Sequence, residues 1–257
     1  MINKNSMIFP SDSDEIKLTI SKACDLYTKA LFSHRPFFTK FLTPLESREV
    51  YSRFPKGELA VNTYGGYPDA ERVIISFDEY GEDLPYPIKV ISVKTKREAS
   101  LSHRDYLGTI LSLGIKRELV GDILVTDEGA TVFCLEEIAG YICDTLIKIA
   151  NTGVVATICE DFVPEETSRK YEKTSATVSS LRLDCVVSAC VSKSRSGASE
   201  LISRGLVSVN YKETASVSVG IKDGDVITVK GFGKFLINTD GNLTRKGRIH
   251  IDINKYA

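Results

Sequence analysis

Apolar positions along the chain change their spacing several times, and each change predicts a new element. Ile16, Ile20, Cys24, Tyr27 and Leu31 recur at three- and four-residue steps, the period of one buried helix face. Ser11 or Ser13 can cap its start, Asp14 and Glu15 suit the helix dipole there, and His34-Arg35-Pro36 ends it. A second helix starts at Thr43-Pro44-Leu45-Glu46, with Thr43 as N-cap, Pro44 at the first helical position and Glu46 completing a capping box. Pro55-Lys56-Gly57 stops it.

Beyond Gly65-Gly66-Tyr67-Pro68 the pattern alternates between types. Residues 72–77 and 88–95 are β-branched and predict strands. A helix over 103–113 closes at Gly114, 122–126 and 131–135 form a hairpin around Asp127-Glu128-Gly129, 136–149 is helical, and 154–160 is a strand. Two helices among about five short strands predict an α+β layer of ferredoxin-like or RNA-recognition-motif-like (RRM-like) topology, helices on one face. Residues 164–173 are polar and charged, a linker or an exposed strand. Helices follow over 181–190 and 194–204, with Ser194 as N-cap and Gly205 as the left-handed stop. Strands are then predicted over 206–209, 216–219, 226–230, 235–238 and 248–253. The expected fold is therefore α+β in three parts: a small helical N-terminal domain at 1–68, the ferredoxin/RRM-like middle domain at 69–163, a linker at 164–175, and a C-terminal domain at 176–257.

Composition adds two points. The six cysteines form no C-x-x-C pair, and no His stands at ligand spacing beside them. They read as small buried hydrophobes of a reducing compartment, so no metal, cofactor or disulfide is expected. No apolar run approaches the roughly 18 residues of a membrane span, and the expected location is the cytoplasm. Net charge is −1, but residues 176–257 carry 12 Lys/Arg against 7 Asp/Glu, whereas 1–175 carry 21 against 27. A basic end on an acidic body suggests a polyanion partner.

Candidate chemistry gathers at that end. The helix opening at Ser194 offers free backbone N–H groups and a dipole that favour phosphate, with Lys193 and Arg195 beside them. Arg182 on the preceding helix can face the same surface, and a guanidinium fork pairs with phosphate oxygens bidentately. The competing reading pairs Arg182 with Asp184 or Glu200 on a solvated face. Arg204, Asn210, Lys212, Lys230 and Lys234 complete the candidate RNA-binding set. Tyr211, Phe232 and Phe235 are candidate stacking residues, Phe235 more naturally core. His103, Arg104, Lys116 and Arg117 form a second basic group in the middle domain, a possible secondary RNA contact.

Leu181-Arg182-Leu183-Asp184, Ser194-Arg195-Ser196-Gly197, Arg204-Gly205-Leu206-Val207-Ser208-Val209-Asn210 and Lys222-Asp223-Gly224-Asp225 stand in an order that resembles the ribosomal S-four-type RNA-binding domain, the alpha-L motif. The whole chain resembles the YlmH family of bacterial proteins. Gly65-Gly66-Tyr67, Ala70-Glu71-Arg72, the block from His103 to Gly108, Leu113–Glu118 running into Gly121-Asp122-Ile123, and Lys246-Gly247-Arg248 carry that likeness. The resemblance implies a cytoplasmic, ribosome-associated RNA-binding factor without catalysis. Its implied partners are ribosomal RNA of the large subunit, with tRNA, and its implied setting is quality control of stalled subunits. Two alternatives stand beside it: an RNA-modifying enzyme that uses the C-terminal domain to present RNA, and a cell-division scaffold. His103-Arg104-Asp105 imitates a kinase catalytic loop but lacks its Asn, and Arg182-Leu183-Asp184 lacks the residues that follow the catalytic Asp of pseudouridine synthases. No P-loop, zinc-protease or nucleophile-elbow motif occurs.

Overall fold

The computed structural model describes residues 4–54, 57–79, 81, 84–163, 171–244 and 247–256. The chain divides into two compact units, 1–168 and 169–257. The first holds α1 (Lys4–Met7), α2 (Asp14–Ser33), β1 (Phe37–Phe38), α3 (Pro44–Arg53), β2 (Ala60–Tyr64), β3 (Ile74–Asp78), β4 (Ile88–Thr95), α4 (His103–Ser112), a 3-10 turn at Arg117–Leu119, β5 (Val120–Thr126), β6 (Gly129–Leu135), α5 (Glu136–Thr145), β7 (Lys148–Ile149) and β8 (Thr152–Ile158).

Local rules set the helix starts. Ser13 accepts a hydrogen bond from the Ile16 N–H at 3.3 Å, and His34 ends α2 in the left-handed conformation. Thr43 and Glu46 close the capping box from both sides, Glu46 N–H to Thr43 Oγ1 at 3.3 Å and Thr43 N–H to Glu46 Oε2 at 2.8 Å. The N-terminal part, expected to be helical over 1–68, also holds the strands β1 and β2. The strand Ile74–Asp78, expected to open the middle domain, lies at the centre of a three-stranded antiparallel sheet ordered β1-β3-β2. Helices α2 and α3 pack on that sheet through Ile20, Tyr27, Val50, Phe54, Ile75 and Phe77. The correction follows from hydrogen bonding: Phe77 pairs with both Phe37 and Val61, so β3 is a central strand there.

Arg53 ties this layer together. It forms a fork on Asp12 at 2.6 and 2.8 Å, reaches Glu49 at 2.7 Å and the Met7 carbonyl at 2.8 Å, and is itself almost fully buried. The Arg53 hydrogen bond pulls the Asp12 carboxyl down to about 2. Asp12 thus stabilises the folded state above the ordinary carboxylate range, and that contribution is lost as pH falls toward 2. Urea midpoints of the wild-type chain should fall between about pH 4 and pH 2. Asp12→Asn should be less stable at neutral pH and show a shallower fall, and parallel profiles for the two would refute this role.

From β4 onward the order is strand–helix–strand–strand–helix–strand, with a small β7 hairpin added. The antiparallel sheet runs β5-β6-β4-β8-β7. This is the ferredoxin-like arrangement expected for the middle domain. The expected helix over 136–149 stops at Thr145: the Leu146 N–H caps it on Ile142, and Lys148–Ile149 instead pairs with Thr152 and Gly153 as β7. One sheet face carries α4 and α5 over Ile91, Val132 and Cys134. The other face is also covered. Phe133 and Leu135 pack with Phe41, Tyr67 and Ile74, and the Tyr67 ring stacks on Phe133 at 4.9 Å. Burial on both faces leaves β6 nearly continuous in apolar residues rather than alternating. Gly66 is required by this contact. Its φ is +101°, and a Cβ there would lie 2.4 Å from the Phe133 ring.

The second unit holds β9 (Tyr171–Val178), α6 (Leu183–Cys190), α7 (Arg195–Ser203), β10 (Val207–Val209), β11 (Lys212–Glu213), β12 (Val226–Val229), β13 (Gly233–Asn238) and β14 (Ile249–Tyr256). Its antiparallel sheet is ordered β11-β10-β12-β13-β14-β9. Of the expected linker 164–175, residues 164–170 lie outside the described residues, and Tyr171 onward is strand, paired along its length with β14. The expected strand over 216–219 is absent. Its alternating valines lean on the core, but its backbone caps α6: the Leu183 and Asp184 N–H groups donate to the Val219 and Val217 carbonyls at 2.8 and 3.2 Å.

Candidate nucleic-acid interface

Helices α6 and α7 lie on one face of the second sheet. Leu183, Val186, Val187, Ala198 and Ile202 meet Ile227, Val229, Phe235 and Ile237, so Phe235 is core rather than a stacking residue. This packing places the start of α7 beside the start of α6. Ser194 caps α7 by accepting from the Gly197 N–H at 3.2 Å.

Between the two starts sits Asp184, almost fully buried. Arg182 donates to its Oδ1 through Nε at 3.1 Å, and Arg195 donates to its Oδ2 through Nε at 2.7 Å. Burial by itself would raise the Asp184 carboxyl, but the hydrogen bonds from Arg182 and Arg195 hold it below the ordinary range. Both expectations for Arg182 therefore meet in one arrangement: it pairs with Asp184, and it shares a surface with Arg195. The pairing is side-on. Arg195 uses only Nε, both of its Nη atoms stay without a protein acceptor among the described residues, and its side chain is 56% exposed. Arg182 also lays Nη2 on Asp184 Oδ2 at 3.4 Å, so Nη1 of Arg182 and both Nη atoms of Arg195 are the donors left without a protein acceptor among the described residues, on two partly exposed side chains. Lys193, in the α6–α7 turn, lies 5.6 Å from the centre of the exposed Phe232 ring.

The other candidates divide. Arg204 pairs with Glu200 at 3.5 Å one turn back on α7. Asn210 is used for structure: its Nδ2 donates to Asp225 at 2.9 Å and its Oδ1 accepts the Val226 N–H at 2.9 Å, holding a residue with φ of 47°. Lys212 is exposed on the edge strand, and Lys230 is paired with Glu213 at 2.6 Å. Lys234 neighbours Phe235 on β13 and so points to the sheet face away from the helices, between the rings of Tyr211 and Tyr256 at 4.5 and 4.7 Å.

In the first unit, His103 and Arg104 are exposed in the first turn of α4, and Lys116 is exposed. Arg117 is half-buried, with its Nη1 on the carbonyls of Val120 and Gly121. Desolvation, with nearby Arg72, lowers it to about 10. Arg72 and Asp122 stand outside the expected site residues, although both lie in the stretches that carry the family resemblance. Buried Asp122 accepts from the Tyr67 hydroxyl at 2.8 Å and from the Glu71 N–H at 2.7 Å. Among the described residues, no group of three or more His, Cys, Asp or Glu could hold a metal ion, and no helix is long and apolar enough to cross a membrane.

The family described as "Putative RNA-binding domain in YlmH" matches residues 82–160. The chain is 26% identical over 226 residues to the ribosome-associated protein quality control protein P2 of Bacillus subtilis (strain 168), across 86% of this chain and 88% of that protein. By both matches the chain is similar to the YlmH family. A solved structure, the cell division protein ylmH from Streptococcus pneumoniae, aligns with 59% of this chain and 95% of its own length, at 22% identity and a TM-score of 0.49. The matched stretch 82–160 is the ferredoxin-like region of the first unit, and the Arg182–Asp184–Arg195 cluster lies outside it.

Proposed function

We propose that this chain is a ribosome-associated RNA-binding factor that acts by binding, without chemistry on the RNA. The observation that carries the reading is the pair of partly exposed guanidiniums anchored on buried Asp184, with side-chain N–H groups to spare. Such a pair is pre-organised for phosphate oxygens, because the carboxylate fixes the side chains before RNA arrives. The alpha-L-like order of helix, helix and strand around it, the family description and the relative's name support this reading. The RNA proposed is ribosomal RNA of the large subunit, with tRNA, in the cytoplasm, during quality control of stalled subunits.

Lys193 and Arg204 are exposed, so Lys193→Glu/Arg204→Glu should leave the fold intact. RNA affinity should drop to a similar degree across RNA sequences, and the slope of log affinity against log salt should become shallower by roughly 1.4 to 1.8. Circular dichroism, anisotropy titrations at several salt concentrations and co-sedimentation with ribosomes measure these three points. A folded variant with unchanged salt slope and unchanged co-sedimentation would remove this surface from the interface.

A further inference from the structure

In an RRM-like fold the sheet face away from the helices is the usual platform for bases. Here that face of the ferredoxin-like sheet is covered by Phe41, Tyr67 and Ile74, so RNA cannot spread on it. A group of cations lies at one side, in a groove of about 820 Å³ between α2, the segment 38–43 and the turn at Arg117–Leu119. That volume is within the roughly 300–1,000 Å³ of ordinary ligand sites.

Its walls are unevenly charged. Lys22, Lys29, Lys40 and Lys116 line it with Arg72 and Arg117. The carboxylates beside them are mostly engaged: Asp25 with Lys4, Glu46 with Thr19 and the capping box, and Glu118 with Lys40 at 2.7 Å, while Glu15 lies at the rim. Lys22, Lys29 and Lys116 have no ion pair among the described residues. Deeper in, Arg72 and Arg117 converge on one acceptor, the Val120 carbonyl, which takes Arg72 Nε at 3.1 Å and Arg117 Nη1. Arg72 Nη2 is held by the Phe41 carbonyl at 2.9 Å. Arg72 Nη1 and the Nε and Nη2 of Arg117 have no acceptor among the described residues. Two half-buried guanidiniums thus lie side by side with unused donors, and desolvation lowers both. Among the described residues Asp122 is the one carboxylate that acts on both, and an anion between them would add to it and take up those donors.

We propose that this groove is a second RNA site, in which a backbone phosphate docks against Arg117 and Arg72 while Lys22 and Lys116 hold the flanking phosphates. The proposal rests on the RNA-binding reading above but not on the Arg182–Asp184–Arg195 surface. An RNA backbone fits better than a lone anion, because the deep guanidiniums and the outer lysines are separate points along an open groove.

The test uses the full chain and a fluorescently labelled RNA with a hairpin and a single-stranded flank. Lys22→Glu/Lys116→Glu changes two exposed residues and should leave the circular dichroism spectrum unchanged. Affinity should fall on the order of tenfold, with a salt slope shallower by roughly 1.4 to 1.8. Ultraviolet crosslinks in peptides around Lys22 and Lys116 should vanish, while those around Arg182 and Arg195 persist. Arg117→Lys, which keeps a charge but loses the fork, should weaken binding without removing it. If the double variant keeps wild-type affinity, slope and crosslinks while Lys193→Glu/Arg204→Glu loses binding, the groove proposal fails and the C-terminal reading stands. The reverse result would keep the groove and refute the C-terminal surface. Inorganic phosphate serves as a second probe: a groove that binds it yet gives no RNA crosslink is a free-anion site, and the proposal is overturned.

Discussion

Asp122→Ala is expected to lower the stability of the first unit by about 3–5 kcal/mol, the range for removing one partner of a buried ionic cluster. Asp122 is 5% exposed and stands where the N-terminal sheet meets the ferredoxin-like sheet. It accepts from the Tyr67 hydroxyl, the Glu71 N–H and the Arg72 N–H, the last at 3.3 Å, and is the carboxylate acting on both Arg72 and Arg117. Alanine would remove the acceptor that these three donors share and the counter-charge common to two half-buried cations. Asp122→Asn keeps the shape and one acceptor oxygen, so it should cost less but still leave the cations uncompensated. Urea unfolding of both variants, with hydrogen exchange read separately in peptides from β3 and β5, measures the effect. A shift below about 1 kcal/mol would mean that the cluster is solvated in solution and contributes no more than a surface pair.

The second large effect concerns RNA. Asp184→Ala should reduce affinity on the order of tenfold or more, although Asp184 is buried and its proposed role is only to position Arg182 and Arg195. Without it the two guanidiniums repel, and the hydrogen bond from the Cys185 N–H at 3.1 Å is lost as well. A purely structural role would show as lost helix signal, so circular dichroism must accompany the titration. Arg195→Lys discriminates further: the ammonium can still reach Asp184, so the fold should hold, but the outer fork is gone and binding should weaken several-fold. Acid gives an independent reading. The Asp184 carboxyl lies below its ordinary range, so its contribution is complete above that range and is lost as pH falls through the lowered value. Wild-type RNA binding should therefore decline in acid, and Asp184→Asn should show less of that decline. Full affinity in a folded Asp184→Ala chain would show that the two arginines do not need their anchor.

The sequence alone determined what depends on near neighbours. Ser13, Thr43 and Ser194 mark helix starts because a cap reaches only two or three residues ahead, and Gly205 marks a stop because its φ of +68° suits a residue without Cβ. The strand–helix–strand–strand–helix–strand order was legible for the same reason, since each element carries its own period. The grouping of Lys193, Ser194 and Arg195 was legible as well. Tertiary structure decided what depends on residues far apart in the chain. Apolar composition shows that β3 and β6 are buried strands, but not that β3 joins β1 and β2, or that Tyr67 closes the second face of β6. Residues 171–173 read equally as linker or exposed strand in the sequence, and the structure makes 171–175 a strand because β14, from Ile249 to Tyr256, supplies hydrogen-bond partners along the whole of β9. Residues 216–219 have the alternation of a strand, yet their carbonyls are drawn to the open start of α6. The charged clusters follow the same rule. Asp184 reaches Arg195 only because two helices pack together, and Arg72 and Arg117, far apart in sequence, converge on one carbonyl because the Asp122 cluster binds their segments into one fold. Local propensity is set by backbone sterics and nearby hydrogen bonds, whereas the partner of a buried face or charge is set by whichever distant group leaves the fewest polar atoms unpaired.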